Sequence, residues 1–257
     1  MKQTERRYYL IQELLKEHPD YSNFQIPQGE QEQKQLLREL FNIREPKIAH
    51  SEFLEIQDIY LKEEIQNKGI TSVNDLTLIY PGIYLWKGDI TTLECDAIVN
   101  AANRQMLGCF CPNHGCIDNA IHTYAGVQLR LACDSIMKQQ GHEEETGKAK
   151  ITSAYNLPCK YVIHTVGPVV SGTLTGKDCM LLASCYRSCL EIADRNHLKN
   201  IAFCCISTGE FHFPNEKAAH IAIKTVNEYR KETNSEIEVI FNVFKAEDYN
   251  IYNRLLR

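Results

Sequence analysis

The sequence predicts an α/β fold, a mixed and largely parallel sheet covered by helices on both faces, preceded by an α-helical N-terminal extension. Two observations carry this. From about Leu76 onward, short runs of β-branched and aromatic residues alternate with longer segments of helical periodicity. Strands that are apolar along their length and separated by helices of that size belong to parallel sheets buried on both faces. Before that point the chain shows helical periodicity only, and the domains divide as 1–74 and 75–257. At 257 residues, 44% hydrophobic and 24% charged, the chain is long and apolar enough to bury a substantial core.

Three amphipathic helices are expected in the extension. Apolar residues recur at helical spacing at Tyr8, Ile11, Leu14 and Leu15, again at Leu36, Leu37, Leu40 and Phe41, and again at Phe53, Ile56, Ile59 and Tyr60. Pro19 and the stretch QIPQG at 25–29 separate the first two, and REP at 44–46 separates the second from the third. Strands are expected at 83–87, 97–100, 151–155, 161–165, 201–206 and 239–244, with helices over 118–139, 180–196 and 216–231. The charged stretch GHEEETG at 141–147 reads as a solvated loop. In such sheets ligands collect beyond the C-terminal ends of the strands.

Composition narrows the function. A net charge of −5 without a long basic run disfavours binding to nucleic acid through its phosphates. No apolar run is long enough for a membrane span, and the N-terminus has no cleavable export signal, so a cytoplasmic location is expected; a monomer is also expected, although no motif in the sequence itself sets the oligomeric state. Eleven cysteines, an odd number in a chain without an export signal, argue against a disulfide framework. Cys95, Cys204 and Cys205 fit as small buried apolar side chains.

Three segments carry chemistry. The stretch LGCFCPNHGCIDNAIH at 107–122 brings Cys109, His114 and Cys116 close together, and two thiolates with an imidazole are ligands that zinc prefers. Cys111 is the competing fourth ligand, ranked lower because it precedes Pro112 in a short turn. Buried free cysteines account for the same spacing equally well. Upstream, DAIVNAAN at 96–103 ends a strand with Asn100 and Asn103, whose amides suit ligand hydroxyls, although asparagine also caps turns. Downstream, the loop STGEFHFP at 207–214 lies between a strand and a helix, where backbone N–H groups and the helix dipole can cradle an anion.

Taken in order, GDIT at 88–91, DAIVNAAN at 96–103, IDNAIH at 117–122, YVIHTVGP at 161–168 and ISTGEFHFP at 206–214 resemble the macrodomain, specifically the MacroD-type ADP-ribosyl hydrolases, over roughly residues 76–257. The resemblance implies a three-layer α/β/α domain. Where most members carry a glycine-rich loop, this chain has GCFCPNHGC at 108–116, which resembles a zinc-containing microbial subgroup. That likeness implies one zinc ion held by Cys109, His114 and Cys116. His212 is a second departure, standing where many members place glycine.

The resemblance implies ADP-ribose, carried on a mono-ADP-ribosylated protein, as the substrate. Asp89, with the Ile90 backbone beside it, would accept from the adenine amino group, and Phe244 would stack on adenine or serve as a core aromatic. Ser207, Thr208, Gly209, Glu210 and Phe211 would wrap the diphosphate. Asn100 and Asn103 would fix the distal ribose. Asp118 would orient or deprotonate the attacking water, or act as a helix N-cap, or both. Zinc would lower the pKa of a bound water or orient ribose hydroxyls. His122 and His164 are expected to be hydrogen-bonded core residues. The implied activity is zinc-dependent hydrolysis of Asp- or Glu-linked ADP-ribose; a non-catalytic reader and an O-acetyl-ADP-ribose deacetylase are the alternatives. The extension is expected to be a stabilising appendage.

Overall fold

The alternating strands and helices resolve, in a computed structural model describing residues 1–18 and 24–257, into nine strands, eight α-helices and two short 3-10 turns among the described residues. The break expected at Pro19 lies outside them. The strands are β1 (Thr71–Ser72), β2 (Leu78–Tyr80), β3 (Ile83–Lys87), β4 (Leu93–Glu94), β5 (Ala97–Ala102), β6 (Ala149–Ser153), β7 (Tyr161–Val166), β8 (Asn200–Phe203) and β9 (Glu238–Val243). Seven form one sheet in the order β2-β3-β9-β8-β5-β7-β6, while β1 and β4 pair separately. Only the outermost pairs, β2 with β3 and β6 with β7, are antiparallel. β5 is an interior strand, between β8 and β7, and its residues Ala97, Ile98 and Val99 are fully buried, as a strand covered on both faces must be.

The helices are α1 (Gln3–Lys16), α2 (Glu30–Ile43), α3 (Ser51–Lys68), α4 (Ile117–Ala125), α5 (Val127–Gln140), α6 (Gly176–Arg195), α7 (Asn215–Thr233) and α8 (Ala246–Leu255). α6, α7 and α8 pack side by side as one layer, whereas α4 and α5 meet β5 and β6. The expected α/β/α sandwich is the observed one. α1, α2 and α3 have a smaller core of their own, which includes Leu10, Leu14, Leu37, Leu40 and Phe53 and takes Val127 from α5. Ile65 of α3 in turn enters the main core.

Several local expectations need correction. The single helix expected over 118–139 is two, because Gly126 takes φ +93°, ψ 175° between α4 and α5, a region essentially closed to other residues. Cys116, not Asp118, is the N-cap of α4: its Sγ accepts from Asn119 N at 3.4 Å, which puts Asp118 in the first turn. The strand expected to reach 206 ends at Phe203, and the one expected to reach 244 ends at Val243. Phe244 is consequently 76% exposed and is no core aromatic. In the loop at 141–147, Glu144 is buried and paired with Lys150 at 2.9 Å. On α1 the buried face includes Arg7, bonded to Gln33 and Glu30 of α2, while Tyr8 points outward. α8 was not anticipated.

Candidate functional site

The C-terminal end of β5 delivers Asn100 to the centre of a buried polar cluster that reaches the surface slightly at Asp118 and His122. Asn100 stands opposite His164 in the parallel register with β7. Its Nδ2 donates to Asp118 Oδ1 at 2.7 Å and lies 3.1 Å from His164 Nδ1. With Nδ1 accepting, His164 carries its proton on Nε2, facing Thr152 Oγ1 at 3.0 Å. Burial pushes the His164 pKa down to about 3, so the ring is neutral. Burial pushes Asp118 in the other direction, up to about 6, against the opposing pull of the Asn100 hydrogen bond and of Arg130. His122 is buried as expected, but its two nitrogens make no hydrogen bond; Nε2 lies 3.5 Å from Asp118 Oδ1. Of the two Asp118 oxygens, Oδ1 is the one engaged by side chains of the described residues, and the buried Asn100 Oδ1 has no hydrogen-bond partner among them.

Asn103 does different work. Its Oδ1 accepts from Met106 N and its Nδ2 donates to Gly108 O, both at 3.0 Å, so the amide shapes the turn that opens the cysteine-rich loop. Gly108 follows at φ +81°, where a Cβ would lie 2.8 Å from the His122 ring. Only glycine fits that approach. The loop then folds back so that the donor atoms of Cys109, His114 and Cys116 all lie within 4.8 Å of one another. Cys109 Sγ is 3.7 Å from His114 Nδ1. Two sulfurs and a nitrogen at such separations match one tetrahedral ion with ligand bonds of about 2.0–2.3 Å and an open fourth position. The residues present therefore fit zinc. Cys111 is exposed and not part of this group. Burial, with Cys109 and Asp118 nearby, pushes the Cys116 thiol up to about 12; a cation at the site would reverse that preference.

The candidate diphosphate loop runs from the end of β8 toward α7. Ser207 takes φ +64° and His212 φ +55°, and Phe213 N bonds back to Ser207 O at 2.9 Å. His212 thus adopts the left-handed backbone that glycine supplies elsewhere, with its side chain exposed to solvent. Val170 N donates to Phe211 O at 2.9 Å and ties the loop to the one after β7. Gly209 and Glu210 are exposed, Thr208 and Phe211 half-buried, and Ser207 buried. The Glu210 side chain faces His114, with Oε1 3.6 Å from Nε2. With His114 Nδ1 turned to the cysteines, this is the placement of a carboxylate that orients a ligating histidine.

At the other end, Asp89 caps the short helical turn Ile90–Thr92. Its Oδ1 accepts from Thr91 N at 3.0 Å and Thr91 Oγ1 at 2.6 Å, and its Oδ2 accepts from Lys68 of α3 at 2.9 Å. Burial opposes ionisation of Asp89, but these hydrogen bonds outweigh it and hold the pKa below the ordinary carboxylate value. Ile90 is buried beside it. Four residues in contact with the predicted site segments stand outside the sequence-based expectation: Lys68 at Asp89, and Arg38, Asn42 and Arg130 around the cysteine-rich loop. Each is a polar residue on a helix, which periodicity alone assigns to solvent.

The fold and this loop geometry define a macrodomain. A Macro domain family model matches residues 99–222. The chain is 56% identical over 260 residues to the protein-ADP-ribose hydrolase of Treponema medium, spanning 100% of both proteins; it belongs to the macrodomain family, as a MacroD-type member. Among solved structures, a Trypanosoma brucei macrodomain in complex with ADP-ribose aligns with TM-score 0.67 at 28% identity, covering 85% of this chain and 95% of that one. An Oceanobacillus iheyensis macrodomain with ADP aligns with TM-score 0.63 at 36% identity, covering 70% of this chain and 93% of that one.

Proposed function

We propose that this chain is a zinc-dependent protein-ADP-ribose hydrolase that removes ADP-ribose from Asp- or Glu-linked protein side chains, acting as a cytoplasmic monomer. The observation that carries the reading is the buried Asp118 carboxyl, 2.7 Å from Asn100 and two residues beyond the N-cap Cys116. A full-length relative bears the name protein-ADP-ribose hydrolase, and its activity is the one assigned here. The cysteines are all unpaired, which suits a reducing compartment.

Hydrolysis adds water across the bond between the distal ribose and the acceptor carboxylate, releasing ADP-ribose and the free side chain. Asp118 orients the water through its uncommitted Oδ2 and takes the proton it sheds, and the acceptor leaves as a carboxylate that needs no proton. Asn100, fixed by Asp118 and His164, offers its unpaired Oδ1 to a ribose hydroxyl. Asn103 acts by shaping the loop start. Backbone N–H groups of residues 207–211 take the diphosphate, Asp89 accepts from the adenine amino group, displacing Lys68 from Oδ2, and the exposed Phe244 ring stacks on the base. Cys109, His114 and Cys116 would hold the zinc ion, which supplies Lewis acidity and orientation beside Asp118.

The deciding experiment measures ADP-ribose release from a mono-ADP-ribosylated, carboxylate-linked acceptor by zinc-replete protein, chelator-stripped protein and Asp118→Ala. The expected result is release by the first and a loss of about 10²- to 10⁴-fold in Asp118→Ala, with a marked loss on stripping. Tight ADP-ribose binding with no release would leave a non-catalytic reader. Undiminished release after stripping would remove zinc from the mechanism and leave the hydrolase.

A further inference from the structure

Helix α2 meets the donor loop through hydrogen bonds, directly from Arg38 and Asn42 and indirectly through Arg130 of α5. Arg38 Nη2 donates to the His114 carbonyl at 2.9 Å, and its Nε and Nη2 donate to Asn119 Oδ1 at 3.1 and 2.8 Å. Asn119, fully buried, passes the contact on by donating from Nδ2 to Cys111 O at 3.0 Å. One turn along α2, the buried Asn42 accepts from Asn113 N through Oδ1 and donates through Nδ2 to Thr123 Oγ1, both at 3.0 Å. At the loop's start, Arg130 Nε donates to Leu107 O at 2.7 Å while its Nη1 donates to the Phe41 and Arg44 carbonyls at the C-terminal end of α2.

Backbone groups at Leu107, Cys111, Asn113 and His114 are therefore held from outside the loop. The segment between Asn103 and α4 is neither strand nor helix, and Gly115 has open space around it, so the loop has no regular ladder to fix it. Apolar contact with the helical layer does not replace one: among the described residues Val127 is the α/β-domain residue in that layer's buried core, and a cleft of about 300 Å³ lies beside Arg38, Asn113, Thr123 and Tyr124.

We propose that Arg38 and Asn42 are positioning residues that keep the 107–116 loop in the conformation gathering Cys109, His114 and Cys116. This rests on the reading of those three as a zinc site. The extension then belongs to the construction of the active site, beyond its part in stability. Outer partners that orient metal ligands contribute about 10- to 100-fold to metal affinity, and a bidentate guanidinium is not replaced by an ammonium.

The test uses the full chain with Arg38→Gln, Arg38→Lys and Asn42→Ala. Zinc affinity is read by competition with a chromophoric chelator, the donor geometry by the visible spectrum of the cobalt(II)-substituted protein, and the integrity of the rest by ADP-ribose titration and thermal unfolding. Arg38→Gln and Asn42→Ala are expected to weaken zinc binding by about 10- to 100-fold and to alter the cobalt spectrum, with ADP-ribose affinity unchanged and Arg38→Lys intermediate. Folded variants with unaltered zinc affinity and spectrum would overturn the proposal. Should Arg38→Gln fail to fold, Arg38→Lys and Asn42→Ala carry the same readouts. If the unsubstituted chain takes up no zinc, the zinc reading fails by itself. Amide hydrogen exchange at 107–116 then decides the positioning role: faster exchange in the variants supports it, and unchanged exchange overturns it.

Discussion

Asp118 and His164 flank the same Asn100 amide, yet burial moves their proton affinities in opposite directions. For His164 the folded pKa of about 3 lies below the unfolded value of about 6.5. Its contribution is fully present above pH 6.5 and is lost as pH falls toward 3, amounting to about 2 kcal/mol at pH 5. For Asp118 the folded pKa of about 6 lies above the unfolded value of about 3.9. Its cost at neutral pH is relieved as pH falls, which offsets the histidine loss by about 1 kcal/mol between pH 7 and 5. The histidine effect wins, and the metal-free chain should be less stable at pH 5 than at pH 7. In His164→Gln, urea unfolding at the two pH values should show the pH-linked difference shifted by about 2 kcal/mol in favour of pH 5, whatever the variant loses at both from its broken hydrogen bonds. An unchanged pH difference would mean that His164 is not held neutral. Ordered motifs in the sequence point to Asn100, Asp118, Cys109, His114 and Cys116, and the fold brings the first two, and the last three, within contact of one another. The sequence did not disclose that Asn103 spends its amide on a turn, or that Arg130 is buried, because those depend on partners from distant segments.

At the scale of elements, the β-branched runs placed six strands of the sheet within a few residues of their true ends. β1, β2 and β4, each two or three residues long, are too short to show a period. The merging of α4 and α5 into one helix has a definite cause. Apolar spacing continues across Gly126, and a single glycine inside a helical pattern is tolerated, so periodicity cannot report that its backbone is at φ +93°. A Cβ there would lie 2.7 Å from Gln57 Nε2 and 2.8 Å from Gln128 Oε1. Gln57 is the α3 residue that caps the break, accepting from Val127 N at 2.9 Å. Gly126→Ala should therefore cost about 1–3 kcal/mol from the backbone alone, with further loss from displacing Gln57, measured by denaturant unfolding. A loss no larger than the ~0.5 kcal/mol of an ordinary surface substitution would show that the two helices can merge without penalty.

At the scale of the whole molecule, the question is how much of the α/β domain depends on the helices before it. The helical layer has a buried core of its own, to which the α/β domain contributes Val127 among the described residues. In this chain the dependence is local. Ile65 fills a place in the main core, worth about 1.5–3 kcal/mol of burial, and Arg130, Asn113 and His114 lose their α2 partners if α2 is removed. Lys68 acts the other way, because it engages the Asp89 carboxylate through Oδ2; on the reading proposed above, its loss frees that oxygen for the adenine amino group. Residues 70–257 alone should therefore fold, melt below the full chain, bind ADP-ribose no more weakly, and bind zinc less tightly by at least the loss seen in Arg38→Gln. Calorimetric titration of both lengths with ADP-ribose and with zinc checks this. Equal zinc affinity in the two lengths would reduce the helical layer to a stabilising appendage, whereas a selective loss of zinc binding would make it part of the enzyme's metal site, built from the opposite end of the sequence.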